Sequence, residues 1–142
     1  MPATTERIAL GMYCICLNGT ITADDLYAGR DGVESLATVD GIDRFVLMVD
    51  GTAMQQPLFD VPIYRHIITK RMMAILALNV SYMGMVVGNI VRQVVSIPVH
   101  FYDDRQLWMA EAARCYAECQ GDNQRWMKTP AQLTFIRQRP VR

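Results

Sequence analysis

Most of the short motifs that announce an enzyme are missing from this chain. It has no G-x-S-x-G nucleophile elbow, no Walker phosphate loop, no H-E-x-x-H pair and no G-x-G-x-x-G turn. Histidine occurs only at His66 and His100, too few and too far apart for a metal cluster. His66 falls on the polar side of a helical pattern, and His100 alternates with Val99 and Phe101 on a strand. An exposed histidine and a satisfied one are expected from this, not a catalytic pair. No nucleophile can be matched to a base. The expectation is a protein without catalysis, cofactor or metal.

Cysteine is scarce and not spaced as a zinc knuckle. Cys14 and Cys16 share one face of a strand, and Cys115 and Cys119 share one stripe of a helix. C-x-C on a flat strand splays its sulfurs, whereas tetrahedral zinc is usually held by closer-knit C-x2-4-C pairs. Free cysteine is among the most buried residue types, so core packing is expected for all four. The ten methionines read the same way, as core filler.

An uninterrupted apolar run of membrane-spanning length is also absent. Met72–Val99 is the most apolar stretch, but Asn79, Ser81, Asn89 and Arg92 punctuate it and Gly84, Gly88 and Pro98 interrupt it. It reads as a buried strand followed by an amphipathic helix. No secretory pattern follows Met1–Leu10, which includes Glu6 and Arg7. A soluble cytoplasmic protein is expected. Acidic residues stop at Asp122, after which Arg125, Lys128, Arg137, Arg139 and Arg142 leave the end of the chain basic. One domain over residues 1–122 and a basic tail over 123–142 are expected. A solvated tail is the default, with an acidic partner or a fold-back contact as alternatives; nucleic acid is not the expected partner.

What is present is alternation. Ile8–Leu17 reads as a buried strand with Gly11 as a bulge or early turn. Thr22 caps a helix over residues 23–37, with Asp25 completing a variant capping box. Its inward positions are Leu26, Gly29, Val33, Leu36 and Ala37. Arg44–Asp50 is a second strand of the kind buried on both faces, and residues 51–56 read as a loop at its carboxyl end. A helix starting near Asp60 tolerates Pro62 in its first turn. Met73–Leu78 is a third strand. A helix capped by Ser81 repeats Met83, Val87, Ile90 and Val94, and its Gly84 and Gly88 suit close packing against the sheet or another subunit. Val99–Tyr102 is the last strand. Asp103 or Asp104 caps a final helix with Leu107, Ala110, Ala113 (or Arg114) and Ala117 facing inward. Strand and helix repeated in this way predict an α/β fold. Its sheet would have four or five mostly parallel strands, with about four helices.

Three stretches carry a family resemblance. They are Ile15-Cys16-Leu17-Asn18-Gly19-Thr20-Ile21-Thr22, then Phe45-Val46-Leu47-Met48-Val49-Asp50, then Val99-His100-Phe101-Tyr102-Asp103-Asp104 with Leu107 and Trp108. Over residues 8–120 their order resembles the STAS domain, the SpoIIAA-like fold of bacterial anti-sigma-factor antagonists, in a divergent form. The resemblance implies a non-catalytic regulatory module that works by contact with a protein partner or a second copy. Those antagonists carry a phosphorylatable serine or threonine at the start of the helix after the second of these strands. Here the matching Leu58-Phe59-Asp60-Val61-Pro62 has no hydroxyl, and Thr52 sits too early, so the phosphorylation switch does not carry over.

The candidate binding segment is therefore the one following the second strand, with Asp50, Thr52, Met54, Gln56, Leu58, Phe59 and Asp60 as its contact residues. The alternative is a carrier or sensor of a small apolar ligand, since open α/β sheets bind ligands at the carboxyl ends of their strands. Deleting residues 124–142 is expected to leave melting cooperative and to move its midpoint by only a few degrees. An insoluble truncation would assign Trp126, Leu133 and Phe135 to the core or to an interface.

Overall fold

Gly11 decides how the chain begins. The computed structural model describes residues 3–120; the expected tail lies outside them. Gly11 has φ +81°, a conformation that L side chains rarely adopt, and its backbone lies where a Cβ would run into the ring of Tyr116. The chain reverses there. The single strand expected over Ile8–Leu17 is thus two antiparallel strands, β1 (Ala3–Ala9) and β2 (Met12–Thr20). β1 hides in the sequence because one of its faces is open: Thr4 and Glu6 are exposed, while Thr5 lies against Gly32.

The helix α1 (Ala23–Asp40) starts on the expected capping box. Thr22 Oγ1 accepts from the Asp25 backbone N–H at 3.3 Å, and Asp25 Oδ2 accepts from the Thr22 N–H at 2.8 Å. Leu26, Gly29, Val33 and Ala37 are its buried face. β3 runs over Phe45–Gln56, so the expected loop at 51–56 is strand. Ala53, Met54 and Gln56 find backbone partners because β2 also continues, past a bulge, through Asn18, Gly19 and Thr20. α2 (Val61–Ile67), β4 (Met72–Leu78), α3 (Tyr82–Val94), β5 (Val99–Tyr102) and α4 (Arg105–Gln120) follow. Asp60 occupies the N-cap position of α2 without capping it, whereas Asp104 accepts from the N–H groups of Gln106 and Leu107.

The sheet order is β1-β2-β3-β4-β5, with β1 antiparallel and the other pairs parallel. Parallel strands laid down in one direction with right-handed crossovers send every crossover helix to the same face. Accordingly α1, α2 and α3 share one face, over Tyr13, Ile15, Leu47, Ile75 and Phe101. α4 covers the other face, over Met12, Cys14, Val46, Met48 and Leu76. Residues one apart on β2 and β3 thus belong to different core layers, as the two-residue period of a strand requires.

Two helix faces differ from the sequence reading. α4 buries Trp108, Glu111, Ala112 and Cys115, while Ala110, Ala113 and Ala117 are exposed. One indole buries far more apolar area than several alanines, and its Nε1–H donates to the Leu76 carbonyl at 2.8 Å. α3 buries Gly84, Val87 and Val91 and leaves Met83, Ile90 and Val94 exposed. Gly88 sets that rotation, since a Cβ there would overlap the Phe101 ring. The two glycines pack against the sheet side of the domain, with Gly84 beside Met54.

β1 is tied to α1 by a single carboxylate. Asp40 accepts from Arg7 Nη2 at 2.7 Å, from Arg7 Nε at 2.8 Å and from the Tyr13 hydroxyl at 2.6 Å. The Arg7 hydrogen bond first, then that of Tyr13, hold the Asp40 carboxyl below the usual carboxylate range. Its folded pKa being the lower one, its contribution to stability is complete above the unfolded value, near pH 4. It is lost as pH falls through the folded value. Asp40→Asn is expected to have a lower urea midpoint than the parent near pH 7, the two converging as pH falls below the usual carboxylate range. A constant gap across that range would show that the carboxylate is not its source.

Candidate functional site

The expected contact residues do not gather in one place, because the sheet separates them. Asp50 points to the α4 side, where it accepts from the Thr52 backbone N–H at 3.0 Å and from Arg105 Nη2 at 2.9 Å. Burial raises the Asp50 pKa, but the Thr52 and Arg105 hydrogen bonds outweigh it and leave it below the usual range. Thr52 Oγ1 accepts from Asn79 Nδ2 at 3.2 Å. Asn79 itself is left-handed, with φ +54°, as asparagine tolerates at the end of a strand. These four side chains form a polar corner where the middle of β3 meets the carboxyl end of β4.

Met54 points the other way and, with Pro57, helps to line the space between sheet and helices. Leu58 packs against the same apolar layer, and its carbonyl accepts from the Tyr64 hydroxyl at 2.6 Å. Burial pushes the Tyr64 hydroxyl up to about 12. Gln56 is exposed, and its carbonyl receives the Ile21 N–H at 3.0 Å. Phe59 and Asp60 are exposed. Of the seven residues, Met54 and Leu58 therefore belong to the interior, and Phe59 alone is an apolar side chain held out to solvent.

The space they border is a cavity of about 120 Å3. Its floor is the upper face of the sheet, including Ile15, Leu47, Ile75 and Phe101. Its walls are Leu26 of α1, Tyr64 and Ile67 of α2, and Val87 and Val91 of α3. Nearly every atom facing it is carbon, and no charged side chain lines it. Gly84 and Gly88 of α3 also line it, packed closely against Met54 and against the Phe101 ring. Those glycines and the alternate strand residues were the available sequence signals.

Cys14, Cys16 and Cys115 lie on the opposite face, and the Cys119 side chain is outside the described residues. Cys14 and Cys16 Sγ atoms are 3.9 Å apart, and Cys14 and Cys115 belong to one core cluster. Burial, more than the neighbouring Cys16, raises the Cys14 thiol well above its ordinary range, so it is not a ready nucleophile. Among the described residues no three His, Cys, Asp or Glu side chains come together as a metal site, and no helix is long and apolar enough to cross a membrane.

Five strands in chain order, with three helices on one face and one on the other, make a SpoIIAA-like fold. An uncharacterized protein of the DUF3478 family with a SpoIIAA-like fold, from Shewanella loihica PV-4, superposes with a TM-score of 0.55 at 14% identity, over 78% of this chain and 91% of that one. No protein-family model and no curated protein matches the sequence.

Met54 and Gln56 are two apart on one strand but differ in what they touch. Met54→Ala is expected to cost about 1–2 kcal/mol in urea denaturation, less than a fully buried methionine. Gln56→Ala is expected to stay within about 0.5 kcal/mol. Equal effects would place Met54 on the surface.

Proposed function

We propose that the domain is a non-catalytic binding module that takes up a small apolar molecule between its sheet and helices α1, α2 and α3. The observation that supports this reading is the carbon-lined cavity itself. Protein interiors are close-packed, and voids larger than a water molecule are few. An apolar cavity of about 120 Å3 is near the size of engineered ones of roughly 150 Å3 that stay dry and bind benzene or xenon. It is well below the roughly 300–1,000 Å3 of sites for drug-sized ligands. The occupant is therefore of benzene or short-alkyl size. Polar chemistry for turnover is absent from the walls, in keeping with binding and not catalysis.

A protein-contact role, with regulation as its purpose, is the second reading, and a specific observation favours it. Tyr82, Met83, Ile90 and Val94 leave the outer face of α3 apolar, Tyr82 being 79% exposed, and Phe59 is 51% exposed. Large apolar side chains exposed along one helix face suit a contact site. Because the inner face of α3 walls the cavity, a ligand that repositions α3 would alter the surface offered to a partner.

Benzene, titrated against the full chain, is expected to raise the melting midpoint saturably, since a ligand bound only by the folded state stabilises it by mass action. Ala77→Leu, which fills the cavity from its floor, is expected to abolish that shift while keeping a cooperative melt. The reading fails if benzene gives no saturable shift in the parent, or the same shift in a folded Ala77→Leu variant.

A further inference from the structure

The positive charges of the domain fall into two groups. Arg7, Arg30, Arg71, Arg105 and Arg114 are each ion-paired with a carboxylate, at 2.7–3.0 Å. Arg92 lies over the Phe101 ring and donates to the Val99 carbonyl at 3.2 Å. Three cations remain, Arg44, Arg65 and Lys70, for which no ion pair is found among the described residues. All three line one groove, of about 390 Å3.

That groove lies at the amino ends of the parallel strands. Arg44 immediately precedes β3, Arg65 stands in the last turn of α2, and Lys70 lies in the turn into β4. The hydroxyl residues Thr69 and Ser96 also line it, and Ile68, Met72 and Ile97 give it an apolar floor. No acidic side chain lines it. Asp43, next to Arg44 in sequence, is exposed and outside the lining. Beyond Gln120 the chain offers a single acidic side chain, Asp122.

Three like charges around one concavity repel each other, and walls of low dielectric concentrate their field into the groove. In a domain that pairs nearly all its other cations, this concentration is a specific feature. Guanidinium groups match the oxygens of a phosphate through parallel hydrogen bonds, and an ammonium adds a compact charge. Three cations suit a dianion better than a single carboxylate. The apolar floor suits an organic substituent on it. We propose that this groove binds a phosphate monoester carrying a short apolar group. It is distinct from the cavity, with Ile68 the one residue lining both.

Isothermal titration of the full chain with hexyl phosphate, inorganic phosphate and 1-hexanol tests this. Hexyl phosphate is expected to bind saturably, more tightly than inorganic phosphate, and to weaken as sodium chloride is raised. The triple variant Arg44→Ala, Arg65→Ala, Lys70→Ala is expected to lose about tenfold or more in affinity for hexyl phosphate. All three positions are exposed, so the variant is expected to fold; an unchanged benzene-induced melting shift checks this independently. Arg65→Glu alone is a second test, expected to weaken binding without touching the apolar floor. The proposal is overturned if the parent shows no saturable binding of hexyl phosphate. It is equally overturned if the folded triple variant binds as the parent does, which would place the alkyl chain in the cavity instead. Equal affinity for inorganic phosphate would remove the organic substituent and leave an inorganic-phosphate site, against the proposal as stated.

Discussion

The order of the sheet constrains everything else in this domain. When β2, β3, β4 and β5 follow one another in the same direction, their crossover helices have to lie on one side. Three helices crowd that side, while among the described residues only α4 covers the other. This explains why Trp108 matters out of proportion to its element. It is the largest fully buried side chain among the described residues, and its indole N–H donates to the backbone of β4 across the layer.

The crowded side is where binding chemistry appears. α3 approaches the sheet closely at Gly88, with Phe101 beneath it, and a carbon-lined cavity lies between the helices of this side and the strands. The same rotation leaves Met83, Ile90 and Val94 on the outside, so one helix carries both an inner wall and an outer apolar face. At the amino ends of the strands, the turns into β3 and β4 bring Arg44 and Lys70 near Arg65. These residues are 21 and 5 apart in sequence from Arg65 and meet only because parallel strands start at the same edge.

Much of the fold was legible because its signals are local. The capping box at Thr22 and Asp25, the Ser81 cap and the break at Pro98 all involve neighbours within a few residues. The apolar runs of β3 and β4 reflect burial on both faces, which needs no knowledge of what covers them. β1 was not legible, since an edge strand with one open face has a mixed sequence. The extension of β3 through Gln56 was not legible either, because its hydrogen-bond partners lie some thirty-five residues earlier in β2.

Of the candidate site, neither the strand's extent nor the side-chain directions were legible. Asp50, Thr52, Met54 and Gln56 lie within β3 and Leu58, Phe59 and Asp60 follow it, whereas the sequence pattern ends that strand at Asp50. Their strand period and bulge then send Asp50 to a polar corner and Met54 to the cavity. By itself the sequence determined the alternation of elements from β2 onward, the caps of α1 and α3 and the absence of local catalytic motifs, since each depends on nearby residues. Tertiary structure decided which helix faces are buried, where a void remains and which cations stay unpaired. Those depend on volumes and charges contributed by segments far apart in the chain, which no local pattern encodes.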